Sequence, residues 1–306
     1  MDNQIIQAIR SRIERLNQCR DAYYNRNESL ITDWQYDDMF DELKKLEDQY
    51  HIYYGDSPTQ SVGFEAKSFL KKVKHNPRLL SLDKTKDAAD IVKFMNVSSA
   101  IAMLKYDGLT VEIDYRNGQL VQASTRGDGA EGEDITHNVK VFKNVPVQIP
   151  ISGTYRIVGE AIIHWDDFET INSQLPATER FKTPRNLVSG TVRQLDNQIC
   201  SERSVYFMPW DVIEGNQTSS RIEELRRIQQ YGFTVPDMYD LQNINDAERF
   251  NEVVGEIKSS AQEQNIPIDG VVVKYNDFGY ARSRGSTAHH NKDGLAFKFM
   301  DDQYRT

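Results

Sequence analysis

Asn117-Gly118, set between two alternating runs, constrains this chain more than any other stretch. Leu109 to Tyr115 and Gln119 to Ala123 alternate apolar and polar residues, and an Asn-Gly pair between such runs specifies a tight β-hairpin. Directly before the first run stands Lys105-Tyr106-Asp107-Gly108, so the lysine is expected on a rigid sheet edge rather than on a mobile tail. On its own, Lys-x-Asp-Gly reads as an edge lysine beside an ordinary turn, because four residues recur by chance. A nucleophilic lysine would need more from the rest of the chain.

With 306 residues, 39% of them hydrophobic and 27% charged, the chain has material for one large domain or two unequal ones. Its formal charge of −9 argues against gripping nucleic acid unaided, since phosphate contacts call for a basic face. Cys19 and Cys200 lie far apart without partner cysteines or clustered histidines. That excludes a zinc ribbon and a disulfide framework and fits a reducing, cytoplasmic setting. No basic-then-apolar leader and no membrane-spanning apolar run is present, so no membrane association is expected.

The first seventy residues read as helical. Ile5, Ile6, Ile9, Ile13 and Leu16 recur at helical spacing behind a cap at Asp2. Thr32-Asp33 caps a second helix with Tyr36, Met39, Phe40, Leu43 and Leu46 on one side. A lysine-rich connector at 67–74 follows, and a boundary near residue 70 divides a helical unit, 1–70, from the remainder, 71–306. Strands are expected at 101–106, 109–115, 119–124, 154–163, 204–212, 269–275 and 295–300, with helices at 87–96, 165–173 and 219–231. This pattern specifies an α+β domain built on antiparallel sheets with flanking helices.

Several residues could carry chemistry. The loop Thr125 to Asp134 holds three glycines and Arg126, and fits neither a Walker loop nor a dinucleotide fingerprint. Glu160 interrupts an apolar strand, where a carboxylate is costly unless paired; the plainer reading puts it on the solvent face of an edge strand. Arg185 and Arg193, eight apart, can return to one side, or each can make a structural salt bridge. By period two, Val272 and Lys274 share a sheet face, as do Ala296 and Lys298. If both lysines converge on Lys105, they would lower its pKa by like-charge repulsion and present cations to a phosphate.

Taken together, the motifs resemble those of bacterial NAD-dependent DNA ligases. Lys105-x-Asp107-Gly108, Thr125-Arg126-Gly127-Asp128-Gly129, Gly159-Glu160, Pro184-Arg185-Asn186, Arg193-Gln194-Leu195-Asp196, Asp269-Gly270-Val271-Val272-x-Lys274 and Phe297-Lys298-Phe299 occur in that family's order and rough spacing. Tyr23-Tyr24, Asp33-x-x-Tyr36-Asp37 and Asp56-Ser57-Pro58-Thr59 resemble the small domain of the NAD-using branch, and Ser81-Leu82 resembles its segment at the nucleotide pocket. The resemblance covers nearly the whole chain. It implies an ATP-grasp-like nucleotidyltransferase domain behind a domain that receives the nicotinamide mononucleotide (NMN) half of NAD. Lys105 would attack the adenylyl phosphate of NAD, release NMN and become lysyl-AMP, with Mg²⁺ assisting. Lys274 and Lys298 would hold the phosphate, Arg126 and Glu160 the adenosine ribose, and Trp210 would stack on adenine. Tyr36 would stack on nicotinamide, with Asp33 and Asp37 at its ribose. Tyr23, Tyr24, Ser81, Leu82, Asp107, Arg185 and Arg193 complete the nucleotide-binding set that the resemblance implies.

The chain departs from the family's pattern in several places, among them a short approach to Asp269 without the arginine the family tends to carry upstream. Where the family usually carries a glutamate that reads the adenine amine, this chain has Met103. Before Phe297-Lys298 the usual short segment with a tryptophan is replaced by a longer polar stretch, 284–294, containing His289-His290. The implied role in DNA replication and repair ends at a nicked duplex. The oligonucleotide-binding, zinc-finger and helix-hairpin-helix parts would come from further chain or from a second polypeptide. Two rival readings are an ATP-dependent polynucleotide ligase or capping-type nucleotidyltransferase, and a non-catalytic NAD-binding module.

Overall fold

The computed structural model describes residues 3–26, 29–60, 70–235 and 237–299. Two helices open the chain, α1 (Asn3–Arg26) and α2 (Asp33–Tyr50). Ile9, Ile13 and Leu16 of α1 bury against Leu43 of α2, as the helical spacing requires. Thr32 caps α2 through a reciprocal box: Gln35 N donates to its hydroxyl at 3.1 Å, and Thr32 N donates to the Gln35 side chain at 3.0 Å. The cap expected at Asp2 lies outside the described residues, as does 61–69, which includes the first three residues of the connector.

The remainder begins with β1 (Lys72–Lys74), β2 (Ser81–Thr85), α3 (Ala88–Met95) and β3 (Ala100–Tyr106). Then come β4 (Leu109–Arg116), β5 (Gln119–Thr125), β6 (Glu131–Glu133), α4 (Thr136–Val139) and β7 (Thr154–Ile162). Next are α5 (Trp165–Gln174), α6 (Pro184–Thr191), α7 (Asn197–Glu202), β8 (Tyr206–Glu214) and α8 (Arg221–Gln230). Last are β9 (Met238–Asp240), α9 (Ala247–Glu263), β10 (Ile268–Tyr275), α10 (Phe278–Ser283) and β11 (His290–Lys298).

These strands build a five-stranded sheet, order β2-β11-β10-β3-β9, and a four-stranded one, order β5-β4-β7-β8, with β1 and β6 as a small pair. The α+β class holds. One expectation needs correcting: β2 runs parallel to β11, so the larger sheet is mixed. Ser81-Leu82-Asp83-Lys84-Thr85 has no apolar alternation to betray a strand. The apolar faces bury in two cores. Val111, Ile113, Tyr115, Ile157 and Phe207 pack with Leu187, Val188, Leu225 and Ile228 from α6 and α8. Ala102, Leu104, Val271 and Val273 pack with Ile91 of α3 and with Phe250, Val254 and Ile257 of α9.

The β4–β5 hairpin forms as expected, with Asn117 and Gly118 at φ 48° and 79°, the left-handed pair that such a turn requires. β3 is an inner strand of its sheet, but β9 covers it only as far as Met103, so Lys105 is paired on the β10 side alone. Hairpin and lysine belong to different sheets, and Asp107-Gly108 is where the chain crosses between them. A Cβ at Gly108 would lie 2.2 Å from the Ala161 carbonyl oxygen, so only glycine passes this crossing without displacing β7. Glu160 is likewise not on an edge strand, because β7 lies between β4 and β8.

Candidate active site

Between the two sheets and the N-terminal helices lies a cavity of about 880 Å³, a size suited to a nucleotide or dinucleotide. Strand periodicity sets its floor. Lys105 opposes Gly270, Met103 opposes Val272, and Val272 opposes Ala296, while Gly270 opposes Lys298. Lys105, Met103, Val272, Lys274, Ala296 and Lys298 therefore share the face that lines the cavity.

At one end, Lys105 Nζ donates to both oxygens of Asp269, at 2.7 and 2.9 Å. Lys298 Nζ lies 3.4 Å from the same carboxylate and donates to Asp37 of α2 at 2.6 Å. Lys84 is paired with the other Asp37 oxygen. The result is a row of alternating charge, Lys84, Asp37, Lys298, Asp269, Lys105, that ties the first helical pair to the sheet. Burial works against both carboxylates, yet the lysines win: Lys298 and Lys84 hold Asp37, and Lys105 and Lys298 hold Asp269, below the ordinary aspartate range. A phosphate can replace either carboxylate on these ammonium groups.

Lys298 thus converges on Lys105, but Lys274 does not. It lies four residues from Gly270, about 13 Å along β10. There its Nζ pairs with Asp211 at 2.6 Å and Asp293 at 2.9 Å and lies over the Trp210 ring at 5.1 Å. Arg221 completes that end against the same two aspartates. This quartet neutralises itself.

The cavity wall carries the remaining groups. Thr183 caps α6 and Pro184 opens it, which projects Arg185 from the first turn toward Tyr23 Oη at 2.7 Å and Asp107 at 3.3 Å. Asp107 is not itself a lining residue; it stands behind Arg185. Arg126 donates to Ser81 Oγ at 3.3 Å, and Gly127 before the return to β6 has φ 55°, with a Cβ position only 1.9 Å from the Glu131 carbonyl oxygen. Glu160 accepts from Thr110 at 3.1 Å. Burial pushes its carboxyl up to about 7 despite Arg185, Arg126 and Lys105 nearby.

Of the expected residues, Lys105, Tyr23, Tyr36, Asp37, Ser81, Leu82, Met103, Arg126, Glu160, Arg185, Trp210, Lys274 and Lys298 all line this one cavity. Arg193 is a correction. It pairs with Glu133 at 2.6 Å and with Ser189, taking the structural salt bridge, because α6 ends at Thr191 and turns it away from Arg185. The side chains of Tyr24 and Asp33 lie outside the described residues. Sequence reasoning missed Lys84, Asp211, Arg221, Asp269 and Asp293. Asp211 could have been found, since a carboxylate between Trp210 and Val212 poses the same burial problem as Glu160.

Comparison with known proteins fits this geometry. The profile of the NAD-dependent DNA ligase adenylation domain matches residues 67–302. The chain belongs to that family. A second profile, the DNA ligase-like N-terminal NAD⁺-binding domain, matches residues 2–63. Among curated relatives, a DNA ligase of Lachnoclostridium phytofermentans is 39% identical over 97% of this chain and 45% of its own length. DNA ligases of Ruminiclostridium cellulolyticum and Malacoplasma penetrans are 38% and 31% identical, also over 97% of this chain, covering 45% and 44% of theirs. The chain thus spans a little under half the length of the family members it matches. No helix among the described residues is long and apolar enough to cross a membrane.

Proposed function

We infer that this chain carries out the first half of an NAD-dependent ligation, the transfer of AMP from NAD to Lys105. The observation that carries the reading is the placement of Lys105 Nζ inside a nucleotide-sized cavity, sharing Asp269 with a second lysine. Lys105 must first lose a proton to become an amine; that proton leaves to solvent, and the Asp269 carboxylate it touches orients the nitrogen. The amine lone pair then attacks the phosphorus next to adenosine. As the N–P bond forms, the P–O bond to NMN breaks, NMN leaves with the electron pair, and the remaining excess proton on nitrogen passes to solvent. Lys298 and Arg185 supply positive charge where the phosphate oxygens gain negative charge. Tyr36 and Asp37, on the α2 side, face the departing nicotinamide half, so residues 1–70 act as the nicotinamide-recognising unit and 71–306 as the adenylating one.

The chain's carboxylates do not fit a protein-held Mg²⁺. No group of three possible ligands occurs among the described residues, and Asp37, Asp211, Asp269 and Asp293 are each already bound by lysine or arginine. A magnesium ion enters this reading only as a companion of the substrate's phosphates. Further parts, in the same or another polypeptide, bring the nicked duplex in this reading, and the acidic balance of this chain supports that division. A cytoplasmic setting accords with two free, buried cysteines.

Intact-mass measurement after incubation with NAD and Mg²⁺ tests the proposal, with ATP in a parallel arm. One AMP adduct on Lys105 is expected from NAD and none from ATP, and Lys105→Ala should abolish it. An adduct from ATP alone, or none from either donor, would overturn the reading.

A further inference from the structure

The floor beyond Lys105 raises a question of selectivity. Moving along β10 from Gly270, the cavity passes from the phosphate-facing lysines to an apolar patch of Met103, Val272 and Ala296, then to the Lys274–Asp293 end. That span suits a nucleoside monophosphate whose base lies on the apolar patch and whose far edge meets the charged end. Met103 is fully buried and can read no hydrogen-bonding group there.

The four charged groups at that end are not equally committed. Asp211 uses one oxygen on Arg221 and the other on Lys274. Asp293 places Oδ2 between Lys274, at 2.9 Å, and Arg221, at 3.3 Å. Its Oδ1 is buried and has no hydrogen-bond partner among the described residues. A buried carboxylate oxygen left unpaired is unfavourable, and a ligand donor would relieve it. The terminal torsion of aspartate is broad, so a small rotation turns Oδ1 to the base while Oδ2 keeps its cations. Gly294, next in sequence, lets β11 lie close to β10: a Cβ there would already meet Lys274 Cγ at 3.0 Å.

We propose that Asp293 reads the base edge, selecting a 6-amino purine over its 6-oxo counterpart. This rests on the adenylation reading for its choice of a nucleotide as occupant. The logic is one of donors and acceptors. A 6-amino group donates to Asp293, and the neighbouring ring nitrogen accepts from Lys274. A 6-oxo purine presents an acceptor to the carboxylate and a ring N–H to the ammonium group, so both contacts become repulsive. The carboxylate thus comes from β11, across the floor from the buried methionine on β3.

Binding of AMP and IMP to the full chain, measured by titration calorimetry, tests the assignment without requiring any chemistry at Lys105. The wild-type protein should prefer AMP by at least about tenfold. In Asp293→Asn, a carboxamide both donates and accepts, so the preference should fall below about threefold or invert; Lys274 and Arg221 keep Asp211. The mass assay adds a rate comparison, NAD against nicotinamide hypoxanthine dinucleotide, with the same expected order. Equal binding of AMP and IMP by the wild-type protein overturns the assignment whether or not Lys105 is adenylated. So does a folded Asp293→Asn variant with undiminished preference for AMP.

Discussion

Replacing Asp37 by asparagine separates two effects that the charge row combines. Asp37 receives Lys298 at 2.6 Å and also binds Lys84, and the three side chains are 17%, 14% and 31% exposed. A hydrogen bond between charged groups in such a setting contributes about 1.5–3 kcal/mol. The loss here should fall at the lower end, because Lys298 keeps Asp269 at 3.4 Å and Lys84 can return to water. About 1.5 kcal/mol currently opposes any phosphate that needs Lys298, since the phosphate must displace Asp37. Without that competitor, affinity for AMP and for inorganic pyrophosphate should rise about tenfold. On the proposed placement of the nicotinamide half against Asp37, adenylation by NAD should nevertheless slow. Titration calorimetry with AMP and pyrophosphate reads the first effect, and the rate of adduct formation reads the second. A folded Asp37→Asn protein that binds AMP no better than wild type would refute the competition argument.

Two further perturbations follow from burial and close approach. Folding raises Glu160 from an ordinary 4.5 to about 7, so the folded state holds the proton in that window and stability falls as pH rises through it. The limit is roughly 3 kcal/mol. Urea melts across pH 4.5 to 8 should show this decline in wild type and lose that contribution in Glu160→Gln. Gly108→Ala forces a Cβ within 2.2 Å of the Ala161 carbonyl and should destabilise by about 1–3 kcal/mol or prevent folding, measured by the same melts.

Much of this molecule is legible in its sequence, where a physical period repeats. The β4–β5 hairpin follows from alternation around Asn117-Gly118, and α1 and α2 follow from apolar spacing and the Thr32 box. α9 is not among the expected helices, although Phe250, Val253, Val254 and Ile257 recur at helical spacing and could have revealed it. β2 was not legible: four of its five residues are polar, and its pairing with β11 comes from a partner more than two hundred positions away. Strand order is hidden for the same reason. Alternation tells which face Lys105, Val272 and Lys274 share, but not which sheet receives the hairpin that follows. Nor does it tell how far along β10 a lysine lies from Lys105. That register separates Lys298, which reaches the Lys105 end, from Lys274, which does not.

The alternating row from Lys84 to Lys105 has a consequence for how a nucleotide enters. An open cluster of lysines in water would gather mobile counter-ions, and an incoming phosphate would release them, making affinity fall steeply with salt. Here Asp37 and Asp269 are counter-ions built into the chain. A phosphate arriving at Lys298 exchanges with a tethered carboxylate and expels few ions to the bulk. Nucleotide affinity should then depend only weakly on ionic strength, because each exchange passes Lys298 from Asp37 to the phosphate within the protein.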